Sequence, residues 1–286
     1  LTNAGVWEEL GGGDRVWRLR VHSPGAKSIA LDFARYQLSA GGELYVHSDD
    51  KRVTRGAYTE LENQLDGTFA IRPTRGEAIT LEYFEPARAR GRGELTLGLV
   101  AHDYRGVLEL IRAQDRSGSG SSGACEIDVA CPLGAGWDDQ VDATVHVLAL
   151  PGGLLCSGSL LNNTASDGTM LILSAAHCGG LASAIFTFNF ELPVCGSGTA
   201  PTTNTLSGAT QLVLDTVTDV QLVRVNVPQQ PQPFPVYLAG WDRSDTPPTS
   251  SVLIHHPAGD VKKISLDDDA PNKFQGFWRI LDWEQG

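Results

Sequence analysis

Leu173-Ser174-Ala175-Ala176-His177-Cys178 is the stretch whose reading decides the fold. It continues the apolar run Met170-Leu171-Ile172-Leu173 through three small residues. Small side chains let the backbone turn and leave room around the imidazole. Upstream lies Cys156-Ser157-Gly158-Ser159-Leu160. A Cys156–Cys178 bridge would tie the turn to the preceding hairpin, closing a loop of about 20 residues worth about 3 kcal/mol in chain-entropy terms. Histidine is the one side chain whose ordinary pKa suits a base near neutrality. A histidine beside a chance cysteine is commonly just packed. Here the paired cysteine, the strand before it and Gly158-Ser159 make His177 a candidate general base.

A base of this kind works with a nucleophile on one side and a buried, orienting acid on the other. Asp219 opens the alternating run Asp219-Val220-Gln221-Leu222-Val223-Arg224-Val225, which places a carboxylate at a strand start. Asp215 is the alternative, with Val217 and Thr218 between it and that strand. No serine in a nucleophile-type loop follows before Gly286. The third catalytic group is therefore expected beyond Gly286, and residues 1–286 alone are expected to be inactive.

The remaining composition narrows the function class. A net charge of −12 over 286 residues argues against nucleic acid or an anionic membrane as partner. No apolar run reaches transmembrane length. The five cysteines, 125, 131, 156, 178 and 195, lack CxxC spacing and a zinc-type cluster. They read as disulfide cysteines of a secreted protein, with one left over. That one is either a free thiol or paired beyond Gly286. No cofactor and no metal site is expected. His255 and His256 are adjacent, so on a strand they point to opposite faces and do not share a ligand. They are expected to be structural, as are the isolated His22, His47 and His102. Trp241 is expected in the core, and the sequon Asn162-Asn163-Thr164 carries little weight.

The chain reads as all-β in two parts joined by a tether. Short alternating segments at 17–21, 28–33, 43–47, 78–84 and 94–100, with Gly and Pro turns between them, suggest an N-terminal β-sandwich over residues 1–116. Ser117-Gly118-Ser119-Gly120-Ser121-Ser122-Gly123 is a flexible linker by composition, spanning 117–124. Its Gly120-Ser121-Ser122-Gly123 looks like a nucleophile loop only by chance. Beyond it, strands are expected at 141–150, 154–161, 169–173, 184–190, 210–214, 220–227, 236–239, 252–256, 262–265 and 274–281. Residues 228–235 carry four prolines and are expected to be an extended connection.

Six blocks from residue 125 to residue 286 resemble the bacterial lysyl-endopeptidase-like branch of the chymotrypsin-fold serine proteases. They are Cys125-Glu126-Ile127-Asp128-Val129-Ala130-Cys131-Pro132, the run from Cys156 to Thr164, and Leu173 to Cys178. Then come Thr218-Asp219-Val220-Gln221-Leu222, Ala239-Gly240-Trp241-Asp242-Arg243, and Ile254-His255-His256-Pro257-Ala258-Gly259-Asp260 with Lys262-Lys263-Ile264-Ser265. The resemblance implies a double β-barrel over 125–286 whose second barrel is incomplete, with His177 as base and Asp219 as its acid. It implies disulfides Cys156–Cys178 and Cys131–Cys195, and a Cys125 bridge to a cysteine near the C-terminus. Asp282-Trp283-Glu284-Gln285-Gly286 resembles the segment preceding the nucleophile loop. The function it implies is a trypsin-like serine endopeptidase acting on protein or peptide substrates through an acyl-enzyme, with lysine preference by analogy. The N-terminal region resembles pro or accessory domains, which implies an intramolecular contact with the protease part. The alternative is a non-catalytic, protease-like binding or adhesion module.

Overall fold

A computed structural model describes residues 1–107, 122–150, 153–228 and 234–286. The linker expected at 117–124 falls largely outside these residues, as does most of the proline-rich connection. The architecture is nearly all-β, with a curled half-barrel sheet consistent with the chymotrypsin-like barrel.

The first region carries β1 (Val6–Glu9), β2 (Arg15–His22), β3 (Ser28–Gln37), β4 (Glu43–Ser48), β5 (Thr54–Tyr58), β6 (Phe69–Arg75), β7 (Ala78–Glu85) and β8 (Glu94–Asp103). They form a five-stranded sheet, β1-β2-β7-β4-β5, and a three-stranded sheet, β6-β3-β8. Alternation places Leu44 and Val46 of β4, and Ile79, Leu81 and Tyr83 of β7, in a shared core. Ile29, Leu31 and Phe33 of β3 join them, with Trp17 of β2. Apolar rows at period two on facing sheets can be buried only by packing together, which is the sandwich logic.

The second region begins with β9 (Ile127–Asp128) and a short helix, α1 (Asp138–Ala143). There follow β10 (Thr144–Ala149), β11 (Leu154–Leu161), β12 (Leu171–Ser174), β13 (Ile185–Thr187), β14 (Thr205–Ser207), β15 (Ala209–Asp215) and β16 (Val220–Val225). The sheet order is β14-β13-β10-β11-β12-β16-β15. Gly208, at φ +77°, bends the chain from β14 into β15. Its N–H donates to the Ala184 carbonyl at 2.8 Å, and that of Ala209 to the Ala182 carbonyl at 3.1 Å, so the sheet curls upon itself. The barrel encloses Val145, Val147, Leu160, Ile172, Phe186 and Val223. Gly158 is required by packing: a Cβ there would lie 2.6 Å from the Ile172 side chain. The Cys131–Cys195 and Cys156–Cys178 disulfides are both formed, and Cys125 is exposed and unpaired among residues 1–286.

β17 (Ser251–His255) and β18 (Lys263–Asp267) pair with β9 in a separate three-stranded sheet. Beyond it, β19 (Asn272–Phe274) and β20 (Phe277–Arg279) form a hairpin. Three expectations are corrected. Residues 274–281 are not one strand, because Gln275 and Gly276 both take positive φ and turn the chain back. Residues 236–239 make only an isolated bridge, Ala239 to Leu161. Residues 141–143 close α1, which starts with Asp138 and Asp139 in its favourable first turn.

The two regions touch along β6. Ala70 N donates to Ser207 Oγ at 2.9 Å, and Gln64 Nε2 to the Ser207 carbonyl at 2.9 Å. Arg72 Nη1 donates to Thr187 Oγ1 at 2.9 Å. Ala30, Ala70 and Ala101 share a buried cluster with Leu148, Leu150 and Ile185.

Candidate active site

Strand register assembles the site. β12 and β16 are antiparallel, with Ser174 opposite Gln221. The end of β12 and the start of β16 therefore lie side by side, bringing the turn after one beside the turn before the other. Past Ser174 the chain enters one turn of 3-10 helix, Ala176–Cys178. Facing it, Asp219 sits just before β16 with φ +56°, a conformation Asp tolerates better than most residues.

The two turns are clasped by three hydrogen bonds. Ala176 N donates to the Asp219 carbonyl at 3.2 Å. His177 N donates to Asp219 Oδ1 at 2.8 Å, and His177 Nδ1 lies 2.6 Å from Asp219 Oδ2. One carboxylate thus holds both the backbone and the ring of the same histidine. These hydrogen bonds, the ring's first and the backbone's second, pull the Asp219 carboxyl below its ordinary value of 3.8. An ionised Asp219 calls for the proton on Nδ1, which leaves the Nε2 lone pair outward. No described residue hydrogen-bonds to Nε2. The imidazole side chain is 72% exposed and that of Asp219 48%.

The turn is anchored from behind. The Cys156–Cys178 disulfide spans a Cα separation of 6.2 Å. Ser174 Oγ donates to the Ser157 carbonyl at 2.8 Å, a second tie between β12 and β11 that the sequence reading overlooked. A small polar residue directly before the Ala-Ala pair was its only signal.

The other candidates separate. Asp215 accepts from Val217 N at 2.9 Å and Thr218 Oγ1 at 2.7 Å, capping the turn rather than reaching His177. Asp219 is half exposed where a buried acid was expected. His255 approaches Glu126 at 3.7 Å, whereas His256 is buried against His146. Trp241 is not in the core: it is 53% exposed and its Nε1 donates to the Asn162 carbonyl at 3.0 Å. Two groups among the described residues bring metal-type donors within 4.8 Å of one another. In one, Cys156 and Cys178 are spent in the disulfide. In the other, Asp267, Asp269 and Glu284, Asp267 accepts from Asp269 N and Glu284 from Asp268 N.

Residues 119–286 match the family described as lysyl endopeptidase, C-terminal domain. The chain belongs to the lysyl endopeptidase family. A lysyl endopeptidase of Pseudomonas aeruginosa is 33% identical over 267 residues, covering 87% of this chain and 53% of the relative. The chain thus spans about half the length of that relative. The family match begins within the stretch read as a linker, while the similarity to the relative extends into the N-terminal region. No helix among the described residues is long and apolar enough to cross a membrane.

Proposed function

We propose that this chain carries the base and acid of a secreted, trypsin-like serine endopeptidase. The 2.6 Å Nδ1···Oδ2 contact between His177 and Asp219, with Nε2 left outward, supports the reading best. In this account Nε2 takes the proton of a serine hydroxyl as its oxygen attacks the scissile carbonyl carbon. The imidazolium, stabilised by Asp219, then returns that proton to the leaving amine as the C–N bond breaks. Water repeats the sequence on the acyl-enzyme. Among the described residues no serine hydrogen-bonds to Nε2. Lysine preference is carried over from the family's name. Residues 1–116 are read as a pro or accessory domain, supported by the separate core around Trp17, Phe33 and Leu81.

The test uses the polypeptide encoded by the complete reading frame. It should hydrolyse lysyl peptide substrates and react with a fluorophosphonate probe, and His177→Ala should abolish hydrolysis. Hydrolysis indifferent to His177→Ala overturns the reading. A folded product with neither hydrolysis nor labelling favours the non-catalytic binding module instead.

A further inference from the structure

We propose that the contact holding residues 1–107 against the curled sheet is an acid-labile latch, opened by protonation of His146 and His256. The inference rests on the reading of the N-terminal region as an accessory domain.

The geometry begins with β10, whose two faces are both buried. Val145, Val147 and Ala149 point into the barrel. Leu148 and Leu150 point the other way, against Ala30, Ala70 and Ala101 of the first region. His146 is one step along this second row, fully buried, as strand alternation requires. Its ring centroid is 5.2 Å from that of His256 and 5.2 Å from that of Phe190. Across the ladder it pairs with Thr187, whose hydroxyl accepts from Arg72 of β6. The histidine therefore sits where the first region's buried cation meets the barrel.

The charges around this pair disfavour added protons. From β6 comes Arg72, which among the described residues donates to Thr187 Oγ1 and the Thr202 carbonyl and to no carboxylate. Arg55 of β5, which donates to Thr74 Oγ1 and the Pro73 carbonyl, is a second cation acting on Arg72. His255 comes from the end of β17, and Asp260 and Lys262 from the segment between β17 and β18. Among the described residues no carboxylate hydrogen-bonds to either ring, Asp142 beside Lys262 included. Glu191 takes Lys262 Nζ at 2.7 Å, Glu126 faces His255, and Asp260 accepts from Val261 N and Ser122 Oγ. His256 Nδ1 donates to the Asp260 carbonyl at 2.8 Å, and its Nε2 has no partner. Burial first, then Arg72, pushes His146 down to about 3, against a weak opposing contribution from the Gly259 backbone. Burial first, then His146 and Lys262, holds His256 well below 6.5.

The sign follows from linkage. The docked state keeps both rings neutral, whereas rings returned to water bind protons near their ordinary value. Docking is fully favoured above about 6.5 and loses about tenfold per pH unit per ring below it. At pH 4.5 that is about 100-fold for His146 once it is hydrated on opening, and His256 acts in the same direction. Opening lifts Arg72 off Thr187 and uncovers the outward row of β10, giving water a route to His146.

Amide hydrogen exchange on the whole chain tests this at pH 7.5, 6.0 and 4.5, corrected for intrinsic rates. Protection in β6 and β13 is expected to fall at least about 100-fold between the extremes, while β2 and β7 stay protected in their own core. His146→Gln should remove that ring's share of the loss. Uniform loss throughout the molecule, unchanged protection in β6 and β13, or a wild-type pH profile in His146→Gln each overturns the proposal. Should that variant not fold, ring-proton NMR of the wild type serves: both rings should stay neutral until β6 opens. Titration of both near 6.5 with β6 still protected contradicts it. None of these readouts uses peptidase activity, so an inert His177–Asp219 pair leaves the latch standing.

Discussion

Two histidine pairs in this molecule have opposite surroundings. His177 stands in an exposed turn, clasped by a carboxylate and anchored by a disulfide. His146 of β10 is sealed against His256 and Phe190, with the Arg72 guanidinium acting on it. The first has a partner that welcomes a proton and water that solvates it. The second has neither. Side-chain identity therefore says little about proton chemistry here; neighbouring charge and access to water decide it.

The largest expected effect separates the pairs by activity. In the product of the complete reading frame, His177→Ala should lower kcat/KM for a lysyl peptide by at least about 10⁴-fold. Asp219→Asn should cost about 10⁴-fold through the wrong imidazole tautomer. His146→Gln should leave the rate at pH 7.5 near wild type, measured in the same steady-state assay. Equal losses in all three would erase the distinction.

Next in size is the anchor. Replacing both Cys156 and Cys178 by serine opens a loop of 22 residues and should cost about 3 kcal/mol, read by urea denaturation. Opening a protein disulfide elsewhere should not loosen the His177 turn in the same way; the Cys131–Cys195 double variant is the control, with turn order followed by amide exchange at Ala176.

The smallest effect concerns Asp219 itself. Its carboxyl lies below 3.8 because it accepts from the His177 ring and, secondarily, from the His177 backbone. The clasp is therefore fully present above pH 3.8 and lost as the pH falls through the folded value. His177→Ala removes the ring bond but keeps the backbone N–H. A carboxyl-carbon NMR titration should then show only part of the depression removed.

Much of the fold was legible because alternation was clean. β4 and β7 each bury every second residue, and β11 spans the residues expected of it. His177 and Asp219 were legible as candidates because one lies just past a short apolar strand and the other just before an alternating strand. β6 was missed for a physical reason. In Phe69–Arg75, Ala70 through Thr74 are all buried, Arg72 included, since the strand is covered on both sides and has no alternation to read. The same cause hid His146, because both faces of β10 are buried. The β19–β20 turn was missed because Gln275-Gly276 lacks the Asn or Asp that usually precedes glycine in such turns. Trp241, between Gly240 and Asp242, is expected in the core, and its indole instead reaches a carbonyl at the surface.

The central claim is that the β12–β16 register hands the His177 ring to Asp219 in one tautomer. Long-range proton–nitrogen NMR of residues 1–286 at pH 7.5 tests it without any enzymatic readout. The account expects the proton on Nδ1, with a downfield shift that disappears in Asp219→Asn. A proton on Nε2, or a spectrum unchanged by that substitution, would contradict it.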